Sequence, residues 1–358
     1  MARFILAAGG TGGHIFPALA VAEKLIADGH EALLYTDKRG QAMIEGKIDY
    51  QLIISSSPFA GSLLKRLWGM ALLGIGLLQS AVYIMMARPK AIMGFGGYPS
   101  FGPVFAGKLL RKPCYLHEQN AVMGRANRLL ARQCKQTALT FDKTKNLPLN
   151  IDSITTGLPV RAPFFATSQY KADKDKLHLV IIGGSLGARI FAEIIPEAVR
   201  LLDDKIKAKL HITQQARPEQ IAALRLAYKQ ADIKADIAAF YHDVASLYDE
   251  CDLIISRSGA SSVSEIAAAG RASILVPFAL AMDDHQTGNA QILEGAGAAI
   301  LLSEADFTAQ KLTEVLSDIL SSEASRTDMA QKARQVASPD ASQMIASLLL
   351  PPSTGVSS

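Results

Sequence analysis

Short apolar runs alternate with amphipathic helical patterns along this chain, and the alternation starts twice, each time with an apolar run that opens on a glycine turn. Residues 4–8, 32–35, 52–54, 91–93, 115–116 and 137–140 read as buried strands. Between the first two, Ile15, Leu19, Ala22 and Ile26 recur at helical spacing until Gly29 stops the pattern. A second series begins at 179–182 and continues through 211–213, 233–238, 253–255 and 273–276. Strands apolar on both faces, separated by helices, imply parallel sheets covered on both sides. The expectation is an α/β protein of two doubly wound, Rossmann-like domains.

Length agrees, because 358 residues exceed one ordinary core and suit two. The expected division is 1–163 and 164–338, then a C-terminal helix at 339–350 packing back on the first domain and a disordered tail at 351–358. The polar, lysine- and aspartate-rich stretch 166–176 reads as the linker. With 49% hydrophobic and 20% charged residues the chain is neither a disordered protein nor a disulfide scaffold. Cys114, Cys134 and Cys251 are widely spaced and read as free thiols of a reducing compartment. The apolar run after Arg3 is shorter than a signal peptide needs, which points to the cytoplasm. A net charge of +4 without an arginine-rich stripe or stacking aromatics argues against nucleic acid and fits an anionic membrane surface or substrate.

Gly9-Gly10-Thr11-Gly12-Gly13-His14 joins the first strand to the first helix, and Gly183-Gly184-Ser185-Leu186-Gly187 repeats the construction. Glycine lets backbone amides approach an anion closely, and a helix N-terminus adds a favourable dipole. Tight turns also use glycine for geometry alone. Neither turn has the Gly-x-Gly-x-x-Gly or P-loop spacing, which argues against an NAD enzyme or an NTPase. His14 opens a helix at the mouth of the sheet. It is either a solvated or capping residue, or a general base or phosphate contact.

The segment Ser256-Arg257-Ser258-Gly259-Ala260-Ser261-Ser262-Val263-Ser264-Glu265 follows a strand and feeds a helix. Two readings stand. Ser262-x-x-Glu265 has the capping-box spacing, in which glutamate bonds back to the helix start. Alternatively the amides of residues 259–262 hold phosphate while the Glu265 carboxylate accepts from two ribose hydroxyls. The loop Met282-Asp283-Asp284-His285-Gln286-Thr287-Gly288-Asn289 either reads a sugar or is a plain polar loop.

Residues 68–86 carry no charge, yet they lie inside the first βα series, where a bilayer crossing would break the sheet's connectivity. Lys65 and Arg66 precede the stretch, Arg88 follows it, and Gln79, Ser80 and Tyr83 interrupt it. The reading is a helix with one face on the domain and Lys65, Arg66, Leu67, Trp68 and Leu72 towards lipid. A buried core helix is the alternative.

Several motifs in one order are far more specific than any of them alone. The turn at 9–14 continues Ile15-Phe16-Pro17-Ala18, followed by His117-Glu118-Gln119-Asn120 and Gly157-Leu158-Pro159-Val160-Arg161. Then come Gly183–Gly187 with Ala188-Arg189, residues 256–270 and residues 283–290. The chain resembles the MurG family, bacterial transferases that move N-acetylglucosamine from UDP-N-acetylglucosamine to undecaprenyl-diphospho-muramoyl-pentapeptide (lipid I), giving lipid II for peptidoglycan synthesis. The resemblance implies a GT-B fold, with the two domains flanking a cleft, and inversion at the anomeric carbon. It implies donor contacts from Thr11, Gly12, Gly13, Asn120, Arg161, Ser185, Ala260, Ser261, Ser262, Val263, Ser264, Glu265 and Gln286. Glu265 would hold the ribose and Gln286 the sugar hydroxyls. His14 matches the family's candidate base, and Gly10, Gly13, His14 and Tyr98 are candidates for the acceptor and its diphosphate. Phe240-Tyr241-His242-Asp243-Val244 departs from the family's Phe-Ile-Asp-Asp-Met, and the loop at 94–103 matches its pattern only in part.

The implied partners are UDP-N-acetylglucosamine, lipid I, an anionic membrane surface and other cell-wall synthesis proteins, with no nucleic acid. The implied place is the cytoplasmic face of the inner membrane, as a peripheral protein. No cofactor or metal site is expected, and a divalent cation would be optional. Asp173-Lys174-Asp175 has the Asp-x-Asp look of metal-dependent transferases but falls in the expected linker. Two rivals remain: a GT-B enzyme with another lipid or small-molecule acceptor, and a non-catalytic nucleotide-sugar-binding scaffold.

Overall fold

Apolar on both faces, the strands form two all-parallel sheets. The computed structural model describes residues 1–56, 62–173, 175–184 and 187–350, with the backbone alone at Leu63. The first sheet contains β1 (Arg3–Ala7), β2 (Glu31–Thr36), β3 (Tyr50–Leu52), β4 (Ala91–Gly94), β5 (Cys114–Glu118), β6 (Gln136–Leu139) and β7 (Ser153–Thr155). Its order is β3-β2-β1-β4-β5-β6-β7. The second contains β8 (Leu177–Ile182), β9 (Leu210–Gln215), β10 (Lys234–Ala238), β11 (Leu253–Ser256), β12 (Ser273–Leu275) and β13 (Ala299–Leu301), in the order β10-β9-β8-β11-β12-β13. In each sheet the strand order reverses once, between β1 and β4 and between β8 and β11. At such switch points the loops diverge and leave a crevice beyond the strand ends.

One unit comprises residues 1–160 and, among the described residues, 338–350; the other comprises 161–337. In the first unit, Phe4 and Leu6 face the helix Gly12–Ala27 and the C-terminal helix Ala341–Leu349. Ile5 and Ala7 face the opposite core, with Ile84 and Val104. This alternation along β1 is the period-two pleat. In the first helix, Leu25 is fully buried while Ile26 is 50% exposed, so the expected stripe is displaced by one residue at its end. The C-terminal helix contributes Ile345, Ala346 and Leu349 to the same core.

The stretch 166–176 is not a free linker. Thr167 Oγ donates to the Ala269 carbonyl, and Ser168 N and Oγ both donate to Asp249 Oδ1. Tyr170 Oη donates to Asp252 Oδ1 at 2.5 Å. Arg271, 1% exposed, donates to the carbonyls of Ser168, Asp249, Ala269 and Gly270, and Arg334 donates to Thr167 and Ala269. The buried Arg271 and the half-buried Arg334, by collecting carbonyls, fix this segment to the second unit. The division of the chain falls instead before Arg161, because the short helix Ala162–Phe165 buries Phe164 against Tyr248, with ring centroids 5.7 Å apart. The tail at 351–358 lies outside the described residues.

The uncharged stretch forms part of the helix Leu63–Ala87. It is long and apolar enough to cross a membrane by length and composition, but it joins β3 to β4 of one parallel sheet and serves as their crossover. Gly69, Gly76, Ser80 and Ile84 make a buried stripe, and only 17% of its most apolar window is buried. Gly76 and Gly102 let this helix approach the helix Phe101–Leu109, since a Cβ on Gly102 would stand 3.0 Å from the Gly76 carbonyl oxygen.

Gly157 sits where the returning chain passes. Its φ is +79°, and a Cβ there would fall 2.1 Å from the Ser338 Cβ. Substitution combines overpacking with a left-handed backbone cost. We expect Gly157→Ala to destabilise the first unit by about 2–4 kcal/mol, read as a lowered midpoint in urea; an unchanged midpoint would contradict the close passage of residue 338.

Candidate functional site

The candidate residues form two groups, one in each unit. In the first, the turn after β1 ends with Thr11 in extended conformation at the helix N-cap, without a side-chain cap. The amides of His14 and Ile15 donate to the Thr11 carbonyl. His14 is therefore no cap: it stands on the first turn, its Nδ1 3.1 Å from Gln119 Oε1. Gly96 and Gly97 wall the ring, for a Cβ on Gly96 would stand 3.2 Å from His14 Nδ1. Tyr98, half-buried, opens the single 3-10 turn Tyr98–Ser100 just beyond them. Gly10 departs from the expectation of an open anion contact, since its amide already donates to Asp37 Oδ1 at 3.3 Å. Asp37 also pairs with Arg39 at 3.1 Å, so the turn's flank carries both charges.

Behind His14 lies a polar cluster at the end of β5. Glu118, 1% exposed, accepts through Oε1 from the Asn120 amide at 3.0 Å. Through Oε2 it accepts from the Gly124 amide and from Asn127 Nδ2, at 3.0 and 2.8 Å. Four donors, counting Asn120 Nδ2, fold the loop holding Asn120 around one carboxylate. Gln119 and His117 are both fully buried. In the sequence they stand only as parts of the His117-Glu118-Gln119-Asn120 motif. Their signal was three consecutive polar residues completing an otherwise apolar buried strand.

In the second unit, the helix Ala260–Ala269 starts from Gly259 at its N-cap. Ser262 is thus inside the first turn and caps nothing, which removes the capping-box reading. Glu265 instead meets Arg161, Nη2 to Oε1, at 3.5 Å, with the glutamate side chain 17% exposed. Burial pushes its carboxyl up to about 7, opposed by the Arg161 charge. The first-turn amides of Ala260, Ser261 and Ser262 have no intrahelical acceptor by geometry and lie at the positive end of the helix dipole. Ser261 Oγ is buried without a hydrogen-bond partner, as a group reserved for a ligand would be. Val263 is 1% exposed and its amide donates to Gly259, so it serves the core rather than a ligand. Ser264 is half-buried on the same helix.

The Gln286 loop is tied to this helix start. Ser258 Oγ donates to the Gln286 carbonyl at 2.9 Å, and Asn289 Nδ2 donates to the Ser258 carbonyl at 3.0 Å. Gln286 Oε1 accepts from the Phe278 amide at 3.0 Å, holding its side chain in a fixed direction. Arg257 was not singled out from sequence, yet it anchors the crevice. It donates to the carbonyls of Val276 and Pro277, pairs with Glu304, and lies between the rings of Phe191 and Phe278. Tyr241 turns its hydroxyl to the Asp236 carbonyl at 2.9 Å, which accounts for a side chain unlike the family's at that position.

Ser185 lies outside the described residues; the flanking Gly184 and Gly187 have φ of +84° and +68°. Asp173 Oδ1 accepts from the Asp175 amide, closing a local turn, and among the described residues no cluster of three His, Cys, Asp or Glu could hold a metal.

Residues 4–139 match the glycosyltransferase family 28 N-terminal domain, and residues 178–345 match its C-terminal domain. A protein of Rhodospirillum centenum named UDP-N-acetylglucosamine--N-acetylmuramyl-(pentapeptide) pyrophosphoryl-undecaprenol N-acetylglucosamine transferase is 40% identical over 358 residues, covering 98% of this chain and 94% of the relative. Its namesake in Rhodospirillum rubrum is 42% identical, covering 96% and 90%. Among solved structures, Acinetobacter baumannii MurG superposes with a TM-score of 0.81 at 32% identity, covering 98% of this chain and 99% of that one. A kitacinnamycin glycosyltransferase superposes at 0.70 with 15% identity and 98% and 99% coverage, which shows a shared fold alone.

The raised Glu265 carboxyl gives stability a pH dependence of definite sign. A buried carboxyl that binds its proton more tightly when folded favours the folded state at low pH, and that advantage fades as pH rises from about 4.5 to about 7. We expect Glu265→Gln to flatten this slope, worth up to about 3 kcal/mol, in urea unfolding between pH 5 and 8; an identical slope in the variant would contradict the burial.

Proposed function

The chain belongs to the MurG family of glycosyltransferase family 28, and from that premise we propose how its two polar crevices divide the reaction. The protein is a hexosyltransferase that carries N-acetylglucosamine from UDP-N-acetylglucosamine to the undecaprenyl-linked muramoyl pentapeptide. In our reading the second unit holds the donor and the first supplies the base. The observation that carries this reading is Glu265, an otherwise buried carboxylate met by Arg161 beside unpaired first-turn amides and the orphaned Ser261 hydroxyl.

The ionised Glu265 accepts from the two ribose hydroxyls, each charge-assisted bond being worth roughly 1.5–3 kcal/mol. The amides of Ala260, Ser261 and Ser262 receive the diphosphate at the helix N-terminus. Gln286 reads the sugar hydroxyls from a side chain already oriented by Phe278. Thr11, Gly12, Gly13, Asn120 and Ser185 stay proposed donor contacts on the resemblance, as do Gly13 and Tyr98 for the acceptor diphosphate, while the Gly10 amide is already engaged by Asp37.

The C4 hydroxyl of the muramoyl sugar attacks C1 of N-acetylglucosamine from the face opposite UDP, forming a β-1,4 bond. Its proton passes to His14 while the C1–oxygen bond breaks and its electron pair leaves on UDP. Amides and Arg161 stabilise the charge that develops there. Side chain and backbone together supply both tasks, so the proposal needs no cofactor.

We place the protein on the cytoplasmic face of the inner membrane, held by the exposed side of the helix Leu63–Ala87. Leu64, Leu67, Trp68 and Leu78 are 79%, 52%, 65% and 71% exposed, with Lys65 and Arg66 among them, while Leu72 is half-buried and contributes less.

Two measurements test these readings. His14→Ala should lower kcat by about 10²–10⁴-fold while UDP-N-acetylglucosamine affinity is kept; full turnover would remove His14 from the chemistry. In flotation with phosphatidylglycerol vesicles at low salt, the protein should rise with the lipid, and Leu67→Glu/Trp68→Glu should stay below; equal flotation would reject this face.

A further inference from the structure

The orientation of the Gln119 amide follows from two atoms that cannot donate. Its Nε2 lies 2.7 Å from the Phe95 carbonyl oxygen, and a carbonyl only accepts, so the –NH₂ end must point there. The other end, Oε1, therefore faces His14 Nδ1 at 3.1 Å and can only accept. Hence Nδ1 of His14 carries the hydrogen. A second fixed carbonyl supports the same polarity. His117 Nε2 lies 3.1 Å from the Gly157 carbonyl and must donate to it. Burial holds the His117 imidazole neutral, its pKa lowered to about 4. Its Nδ1 therefore bears a lone pair, and it accepts from Gln119 Nε2 at 3.1 Å. Reversing any one amide or ring would set two donors or two acceptors against each other in a buried site.

We propose that Gln119 and His117 are positioning residues: a one-way relay from the Gly157 and Phe95 carbonyls through them holds His14 as the Nδ1–H tautomer. A neutral histidine so held keeps its unprotonated nitrogen at Nε2, the atom that then takes the acceptor's proton. Once the imidazolium forms, Nδ1–H still donates to Gln119 Oε1, so the chemistry requires no rearrangement behind the ring. Gly96 and Gly97, both at positive φ, give the ring room in this one orientation. This inference rests on His14 as base for its catalytic meaning, but the tautomer itself does not.

The experiment separates the two. Histidine-selective ¹⁵N labelling of the full-length protein, with His14 assigned by comparison with His14→Ala, reads the tautomer directly. The expected signature is a protonated Nδ1 and a lone-pair Nε2 for the neutral ring; a protonated Nε2 in the wild-type protein overturns the relay. Gln119→Met keeps the side-chain length and removes both hydrogen-bonding ends. It should shift the His14 signature towards Nε2–H and lower kcat about 10²-fold, with the donor KM within twofold. An unchanged signature in Gln119→Met overturns the proposal, and the wild-type spectrum decides it even if that variant does not fold. Should His14→Ala retain turnover while the wild-type ring shows Nδ1–H, the relay stands and the assignment of His14 as base falls.

Discussion

A parallel sheet cannot leave a face in water, because its crossover connections place a helix over each face and its strands are apolar on both. In this chain that constraint is met twice, and it orders nearly everything else. Every crossover returns to the same edge, so the carboxyl ends of all strands in a unit share one rim. At β1/β4 and at β8/β11 the strand order reverses, and loops that would otherwise cover the rim diverge. Of the residues with chemical potential, His14 in one unit and residues 258–265 in the other stand at these reversals, and Gln119 stands one strand further along, after β5. Burial of the strands thus comes first and the position of the chemistry follows from it.

The same constraint decides what could be read without a structure. Strands such as 4–8 and 253–255 announce themselves as unbroken apolar runs because both of their faces are covered. β7 lies at a sheet edge, is three residues long and only partly buried, and carries no such run. The stretch 166–176 misleads for a complementary reason. Its lysines and aspartates look solvated, yet Thr167 and Ser168 are held by Arg271 and Arg334, more than a hundred residues away. A lone arginine in an apolar context, as in Gly270-Arg271-Ala272, is the only local trace of such a buried collector of carbonyls.

The segment at 256–265 shows where local patterning misleads. Serine and glutamate three apart is the spacing of a capping box, but a cap also requires the serine to precede the helix. Here the helix starts two residues earlier, at Ala260, because Gly259 adopts the extended conformation and Ser258 is drawn to the Gln286 loop. Glu265 is then left on the inner side of a helix with no amide to bond, and Arg161 becomes its counter-charge. The site's nature was legible from the company of several motifs, whereas the role of the glutamate within its own helix was not.

His14 poses the opposite problem, since nothing within its own helix determines what the ring does. Its orientation is fixed by three separate chain segments. The first helix supplies the ring, Gly96 and Gly97 after β4 supply the space, and Gln119 after β5 supplies the acceptor. A larger residue at Gly97 would also press on the Gly9 carbonyl, at 2.8 Å, so the loops after β1 and β4 pack only if glycine stands there. The polarity of the hydrogen bonds is inherited from backbone carbonyls, which have no alternative tautomer or flip to offer. A titratable ring whose protonated nitrogen is dictated by immobile acceptors differs from one exposed to water, where either nitrogen can carry the hydrogen. In this crevice the tautomer of the ring is a property of the fold, set where β4 and β5 end.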